Sequence, residues 1–372
     1  MRPLLEAYPG LREPLPLERF ATLPTPVARV PGFESLLGAA SFHVKRDDLT
    51  ALEYGGNKVR KLEFLLGRAR CDGCRAVMTF GGAGSNHALA TAIYARRLGM
   101  DAISMLVPQP NAPAVRRNLL MSLTVGAELH LCPDKDRLDA AVASVVDRRR
   151  RSDGRPPMII PPGGSSPIGA LGYVNAALEL HAQAAAGDLP APDVIYLAAG
   201  TLGTGVGLAL GLQAAQMHAS VMAIRVTEPS LASEAKARAL YEETNHLLHR
   251  HDASFPLSGF PGEHFALRHE FFGPGYGVIT PEVEEAIRAI RDAAGLALDH
   301  TYTGKALSAV MADAARLRGK HVLFLNTYNS RDLDGTVAGL DYRALPREFH
   351  PYFEGALETP DTAKPGAPPE SI

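Results

Sequence analysis

The residues best suited to chemistry lie in short glycine-rich stretches. Lys45 to Lys61 reads KRDDLTALEYGGNKVRK. Gly55, Gly56, Asn57 and Lys58 set an amine where a turn becomes a helix, because Val59, Leu62 and Leu66 then recur at helical spacing. Glycine lets backbone approach a flat ligand, and a desolvated lysine can serve as nucleophile or base; a solvated lysine at a helix start is the plainer alternative. Thr79 to Asn86, TFGGAGSN, runs from a strand end through glycines to an N-cap at Ser85 or Asn86. The positive helix end there suits an anion such as an α-carboxylate, and Ser85 offers a nucleophile or proton carrier. Ordinary capping accounts for the Ser-Asn pair equally well.

Ala198 to Gly207, AAGTLGTGVG, follows the apolar strand VIYLA and opens another helix. Glycines 200, 203, 205 and 207 with the hydroxyls of Thr201 and Thr204 make a phosphate cradle. The stretch lacks the Gly-Lys-Ser/Thr of a nucleotide-hydrolysing loop, while Glu228 after the next strand keeps a dinucleotide reading open. Pro161 to Tyr173, PPGGSSPIGALGY, offers N–H groups at Gly163, Gly164 and Ser165, or simply a tight turn. Tyr276 in GPGYG and Tyr302 in YTGK are rings among glycines, fit to stack on a flat ligand or to plug a core.

Alternating elements must position these stretches. Helices are expected over 58–69, 86–98, 112–125, 135–150, 169–183, 204–217, 231–250, 281–294 and 303–317. Strands are expected over 42–44, 76–80, 102–107, 128–132, 157–160, 193–198, 221–227 and 321–326. Such alternation marks βαβ units on parallel sheets, and 372 residues suffice for two α/β domains with a cleft between them. The expected division is 1–57 with 169–353 as the large domain and 58–168 as the small one, with 354–372 a flexible tail.

A hydrophobic fraction of 46% and a charged fraction of 21% are ordinary for a globular protein. A net charge of -2 argues against a polyanion partner, and the run Arg148 to Arg151 reads as a helix C-terminus, so no nucleic acid is expected. No apolar run reaches membrane-spanning length and no leader is recognised, which makes a cytoplasmic location the default. Cys71, Cys74 and Cys132 lack the partners of a zinc site, so no metal is expected.

Taken together, KRDDLT, GGNKVRKLEFLLG, the GGxxSNH pattern, GGSSPIGALGYVNAALEL, the glycine-threonine loop and YTGKA run in one order from about Leu23 to Thr327. In this the chain resembles the D-cysteine desulfhydrase and 1-aminocyclopropane-1-carboxylate deaminase family of pyridoxal-phosphate enzymes. The resemblance implies a tryptophan synthase β-like fold (fold type II), two three-layer α/β/α domains with mainly parallel sheets, and a homodimer. It implies that Lys58 bonds the cofactor aldehyde, Asn86 its phenolic oxygen, and Gly200, Thr201, Leu202, Gly203 and Thr204 its phosphate. Tyr302 would stack near the ring, with Thr303 and Thr327 near the pyridine nitrogen. Ser85 and the His87 amide region would take the carboxylate of a small amino-acid substrate, with Gly163, Gly164 and Tyr276 close by; the His87 ring reads as packed.

The activity so implied is β-elimination on a cysteine-like amino acid, such as D-cysteine, to pyruvate and ammonia. Ring-opening deaminases carry glutamate and glutamine where this chain has Thr303 and His87, which points to elimination. β-Replacement, racemisation, a cysteate-type sulfo-lyase and a non-catalytic cofactor or nucleotide binder are the alternatives. Two departures from the family pattern stand out: Gly84 replaces a glutamine before Ser85, which predicts a roomier pocket, and Tyr328 to Arg331 replaces a Gly-Gly segment. Arg331 could pair with an acidic substrate group.

Overall fold

The computed structural model describes residues 2–357. Its strands are β1 (Val27–Arg29), β2 (Ser41–Lys45), β3 (Ala76–Gly82), β4 (Asp101–Val107), β5 (Glu128–Leu131), β6 (Met158–Ile160), β7 (Val194–Ala199), β8 (Ser220–Arg225), β9 (Phe265–Arg268) and β10 (His321–Leu325). They form a six-stranded sheet, β1-β2-β10-β7-β8-β9, and a four-stranded sheet, β5-β4-β3-β6. Every pairing is parallel except that of β1 with β2.

The larger sheet belongs to a unit of residues 2–64 and 165–330. Its central strands are apolar along their whole length because helices cover both faces. Side chains alternate accordingly. Ile195, Leu197, Leu323 and Leu325 join one core with Val174, Val206 and Leu210, whereas Val194, Tyr196, Val322 and Phe324 join another with Ile290, Leu307 and Val310. On the first face the helices Pro167–Ala185 and Gly203–Ala214 pack almost backbone to backbone. A Cβ on Gly211 would lie 2.6 Å from the Val174 carbonyl and one on Gly207 2.3 Å from that of Ala170, so only glycine fits at these two crossings.

The smaller sheet belongs to residues 65–164 and 331–357. Met78, Ile103 and Met105 face one core, with Leu138 and Val145 of the helix Lys135–Asp153. Leu106 and Leu129 face the other, with Leu119 of the helix Pro113–Thr124. The run Arg148 to Arg151 closes the helix Lys135–Asp153, and Arg149 there bonds Asp101 and Asp153 at its foot.

This division corrects the expected boundaries. Phe64 packs into the first unit's core, so the cut falls inside the helix Asn57–Cys71 and not before Lys58. Residues 331–353 belong with the smaller unit, because Leu345, Phe349 and Tyr352 pack on Val115 and Leu119. The expected tail lies outside the described residues from 358 onward. Its first part is anchored, since Arg116 Nη2 donates to the Gly355 carbonyl at 2.7 Å and Asn111 Nδ2 to that of Ala356 at 3.0 Å.

Candidate functional site

Lys58 is the second residue of its helix, and the turn before it is fastened on several sides. Gly55 N donates to Asn329 Oδ1 at 2.8 Å, Gly56 N to the Asp47 carbonyl at 2.9 Å, and Asn57 N to the Thr327 carbonyl at 3.3 Å. Gly56 has φ +89°, and a Cβ there would lie 2.9 Å from the Thr327 oxygen. Lys58 is half-buried. Burial pushes its amine down to about 8 against the pull of the Asp299 carboxylate, which leaves a useful fraction unprotonated near neutral pH.

A buried ionic network lies under this turn. Arg60 pairs with Asp47 at 2.8 Å and with Glu179 at 2.9 Å, Lys45 reaches Glu179 at 2.6 Å, and the Tyr173 hydroxyl donates to Asp47 at 2.6 Å. The guanidinium and ammonium each meet a carboxylate, which is the condition for tolerating charges in an interior.

The cradle begins where β7 ends. Leu202 has φ +66° and caps the helix Gly203–Ala214 without a side-chain bond, so the first N–H groups of that helix are presented by backbone alone. The Ser165 hydroxyl donates to Thr201 Oγ1 at 2.8 Å and accepts from Gly203 N at 3.0 Å. Asn57 Nδ2 donates to Thr204 Oγ1 at 3.0 Å, which ties the Lys58 turn to the cradle. Lys61 Nζ donates to Ser165 at 3.5 Å. Its pKa is held well below the ordinary lysine value by burial and by the Lys58 ammonium. A Cβ on Gly203 would lie 2.7 Å from Ser165 Oγ and 3.0 Å from Lys61 Nζ, so the space above the helix start exists because residue 203 has no side chain.

Tyr302 closes the same turn from the side. A Cβ on Gly200 would sit 3.4 Å from its ring. Its hydroxyl lies 2.6 Å from that of Tyr276, and the rings meet edge to face at 6.1 Å. Burial raises both phenols, Tyr302 well above the ordinary value, so both keep their protons through neutral pH. Asp299 organises the strip. It accepts from Tyr302 N at 2.6 Å, and Thr303 Oγ1 donates to its Oδ2 at 2.7 Å. Its charge also acts on Lys58, Tyr276 and Tyr302.

In the smaller unit Ser85 caps the helix Asn86–Arg97, accepting from Ala88 N at 3.2 Å. Asn118 Nδ2 holds Asn86 Oδ1 at 2.9 Å and the Gly84 carbonyl at 2.8 Å. His87 is buried in the first turn. The roomier pocket expected at Gly84 does not exist. A Cβ there would meet Val115 Cα at 2.9 Å, and Gln109 already accepts from Gly84 N at 2.9 Å, so an amide from elsewhere in the chain occupies the place. Gly163 and Gly164 form a tight turn after β6 with φ near +60° (63° and 64°).

The larger unit thus brings together Lys58, Gly200 to Thr204, Tyr276, Tyr302, Thr303 and the Thr327 backbone; the smaller one gathers Ser85, Asn86 and His87 at one helix start. Lys61 and Asp299 are not marked by the sequence, and Ser165, expected to offer only its N–H, works here through its hydroxyl. Lys61 could have been found from its spacing of three after Lys58, which is one helical face.

The donor set fits pyridoxal phosphate. Backbone N–H groups, three hydroxyls and the Lys61 ammonium suit the phosphate, Lys58 suits the aldehyde, and the Tyr302 ring suits a flat heterocycle. Two mostly parallel α/β units carrying such a site define the fold type II class of pyridoxal-phosphate enzymes.

Residues 19–327 match the family described as "Pyridoxal-phosphate dependent enzyme", and the chain belongs to it. A protein of Pyrococcus abyssi named "Putative 1-aminocyclopropane-1-carboxylate deaminase" is 36% identical over 82% of this chain and 88% of its own length. The nocardicin C-9' epimerase of Nocardia uniformis subsp. tsuyamanensis is 34% identical over 91% of this chain and 99% of its own. Among solved structures, a 1-aminocyclopropane-1-carboxylate (ACC) deaminase homologue superimposes with a TM-score of 0.74 at 33% identity, covering 88% of this chain and 94% of that one. A pyridoxal 5'-phosphate-dependent aspartate racemase, at 18% identity and a TM-score of 0.56, shares the fold. The protein is therefore a pyridoxal-phosphate-dependent enzyme of the ACC deaminase and D-cysteine desulfhydrase type. No described helix is long and apolar enough to cross a membrane.

Proposed function

We propose that this enzyme is a β-eliminating lyase acting on a cysteine-like amino acid, D-cysteine among them, with pyruvate and ammonia as products. One observation carries the reading: an amine whose pKa is lowered to about 8 shares a strip with two phenols that keep their protons. Lys58 is then the base and Tyr276 with Tyr302 the acid. Bound pyridoxal phosphate supplies the electron sink that makes the substrate Cα–H bond acidic. Lys58 Nζ takes that proton. The Cβ–S bond breaks with its electron pair on sulfur, and the Tyr276 hydroxyl protonates the departing thiolate. Water then converts the unsaturated product to pyruvate and ammonia.

The other assignments follow from the same reading. Gly200 to Thr204, with Lys61 and Ser165, hold the phosphate. Asn86 bonds the cofactor's phenolic oxygen, and Ser85 with the His87 amide takes the substrate carboxylate, with Gly163 and Gly164 nearby. Thr303 and Thr327 lie on the side of the pyridine nitrogen. A threonine at 303, its hydroxyl committed to Asp299, favours elimination over ring opening, since the glutamate of ring-opening deaminases is missing. The resemblance also supports a homodimer.

A second reading, inversion at Cα, rests on the near full-length similarity to an epimerase and on the separate amine and phenol acid-base groups. The decisive experiment gives the holoenzyme D-cysteine, L-cysteine, cysteate, β-chloroalanine and 1-aminocyclopropane-1-carboxylate in turn. Pyruvate release from a β-substituted alanine is expected. Release of 2-oxobutyrate from the cyclopropane alone, or exchange of the Cα proton without any keto acid, would overturn elimination. Added thiol diverts product to a thioether only if the enzyme is a synthase, and Arg331→Ala weakens cysteate selectively if that side chain reads an acidic group.

A further inference from the structure

The segment 269–280 carries Tyr276 and contains neither helix nor strand. Its internal backbone bonds are long: Phe272 N to the His269 carbonyl at 3.4 Å and Val278 N to the Gly275 carbonyl at 3.3 Å. Glycines with φ +71° and +75° at 273 and 277 bracket the tyrosine. Left to itself such a segment would sample many conformations.

Two side chains of one helical turn grip it. Tyr302 and Lys305 are three residues apart at the start of the helix Thr303–Ala312, so they share a face. Tyr302 meets the Tyr276 hydroxyl. Lys305 is fully buried, and its Nζ donates to the Phe272 carbonyl at 2.5 Å and the Gly275 carbonyl at 3.1 Å, with the ammonium 5.2 Å from the Phe272 ring centre. Burial lowers its pKa to about 8 against the attraction of Asp299, so the amine is mainly charged at neutral pH and donates strongly.

We propose that Lys305 is a positioning residue: it clamps the 272–275 backbone to the helix that carries Tyr302 and thereby sets the Tyr276 hydroxyl for the reaction. The catalytic part of this inference rests on the role given to Tyr276 above. The clamp itself does not, and the test separates the two.

The full-length holoenzyme and its Lys305→Met, Lys305→Arg and Tyr276→Phe variants are compared by hydrogen-deuterium exchange and by kinetics on whichever β-substituted alanine the wild type consumes. Lys305→Met should raise exchange over 269–280 about tenfold or more while leaving the middle of the helix Thr303–Ala312 protected, as expected for loss of charge-assisted bonds to one segment. It should lower kcat about tenfold with little change in KM or in the visible absorbance of bound cofactor. Lys305→Arg should restore most of both. Tyr276→Phe should lower kcat without loosening the segment to the same degree. Should the methionine variant not fold, Lys305→Gln replaces it with the same expectations.

Unchanged exchange over 269–280 in a folded Lys305 variant would overturn the clamp, as would loosening that spreads evenly through the helix or a failure of arginine to rescue. Altered exchange with unaltered kcat would overturn the positioning role alone. If the wild type consumes no β-substituted alanine, the proposed function fails while the exchange data still decide the clamp.

Discussion

Lys61 lies one helical turn after Lys58, and its Nζ points to the Ser165 hydroxyl, 3.0 Å from where a Cβ on Gly203 would stand. On the proposed function, two amines on one face divide the work: Lys58 is left to carbon chemistry, while Lys61 sits at the helix start for an anion that would restore its proton affinity. Lys61→Met should weaken cofactor affinity about 10- to 100-fold, the range for one charge-assisted hydrogen bond. The kcat of the saturated enzyme should change far less. Titration of the apo-protein with pyridoxal phosphate, followed by its visible absorbance, measures the first; an unchanged dissociation constant would remove Lys61 from the phosphate site.

The two amines with folded values of about 8, Lys58 and Lys305, have a consequence for stability without cofactor. An unfolded lysine holds its proton to about 10.5, so between pH 8 and 10.5 the unfolded chain binds more protons than the folded one. Stability must then rise with pH across that window, and the cost of burying the amines is fully present below it. Urea midpoints of the apo-protein at pH 7.5 and 9.5 should show the rise, and Lys58→Ala should reduce it without abolishing it, because the buried amines of Lys61 and Lys305 are also lowered. An equal rise in that variant would assign the effect to other groups.

Most of the architecture was legible because apolar runs of strand length alternate with helical periodicity from Lys58 to Leu325. The exceptions have physical causes. β1 and β9 are only 3 and 4 residues long, and β1 is hidden among prolines. The expected helix 303–317 breaks at Asp313, whose carboxylate accepts from the Tyr196 hydroxyl and Arg268, a contact with no local signal. The boundary at residue 331 was readable in principle, since Leu345, Phe349 and Tyr352 recur at helical spacing and needed an apolar partner. Within the site, glycine-flanked residues such as Lys58 and Tyr276 announced themselves. Asp299 did not, because its role depends on bonds to a turn rather than on a motif of its own, and the Ser165 motif pointed to its N–H and not to the hydroxyl that meets Thr201 and Gly203.

Gln109 is the residue that fills the place left by Gly84. Its Oε1 accepts from Gly84 N, and the chain beyond it is held by Gln109 N donating to the Tyr352 hydroxyl at 3.0 Å. Removing the amide frees an N–H in the turn that leads to Ser85. Gln109→Ala should therefore raise KM for amino-acid substrates about tenfold, the effect of disordering one hydrogen-bonded anchor, and leave kcat nearly constant. Comparing an amino acid with its methyl ester localises the effect: the difference between the two should shrink in the variant if the turn serves the carboxylate.

Arg60 is two residues from Lys58 and belongs to the scaffold rather than the chemistry. Both of its carboxylate partners are fully buried, and Lys45 shares one of them. Loss of the guanidinium leaves Asp47 and Glu179 with an uncompensated negative charge, a situation that typically costs about 3–5 kcal/mol. Arg60→Met should accordingly lower the urea midpoint sharply, and Arg60→Lys should recover only part, because an ammonium cannot bond both carboxylates through a planar fork. Since Asp47 also holds Gly56 N, the Lys58 turn should loosen with the network, and apo-protein exchange at residues 55–58 should rise in both variants. A double change, Arg60→Met with Glu179→Gln, removes one charge of each sign and should be less damaging than the sum of its parts; simple additivity would mean that the network does not act as a unit.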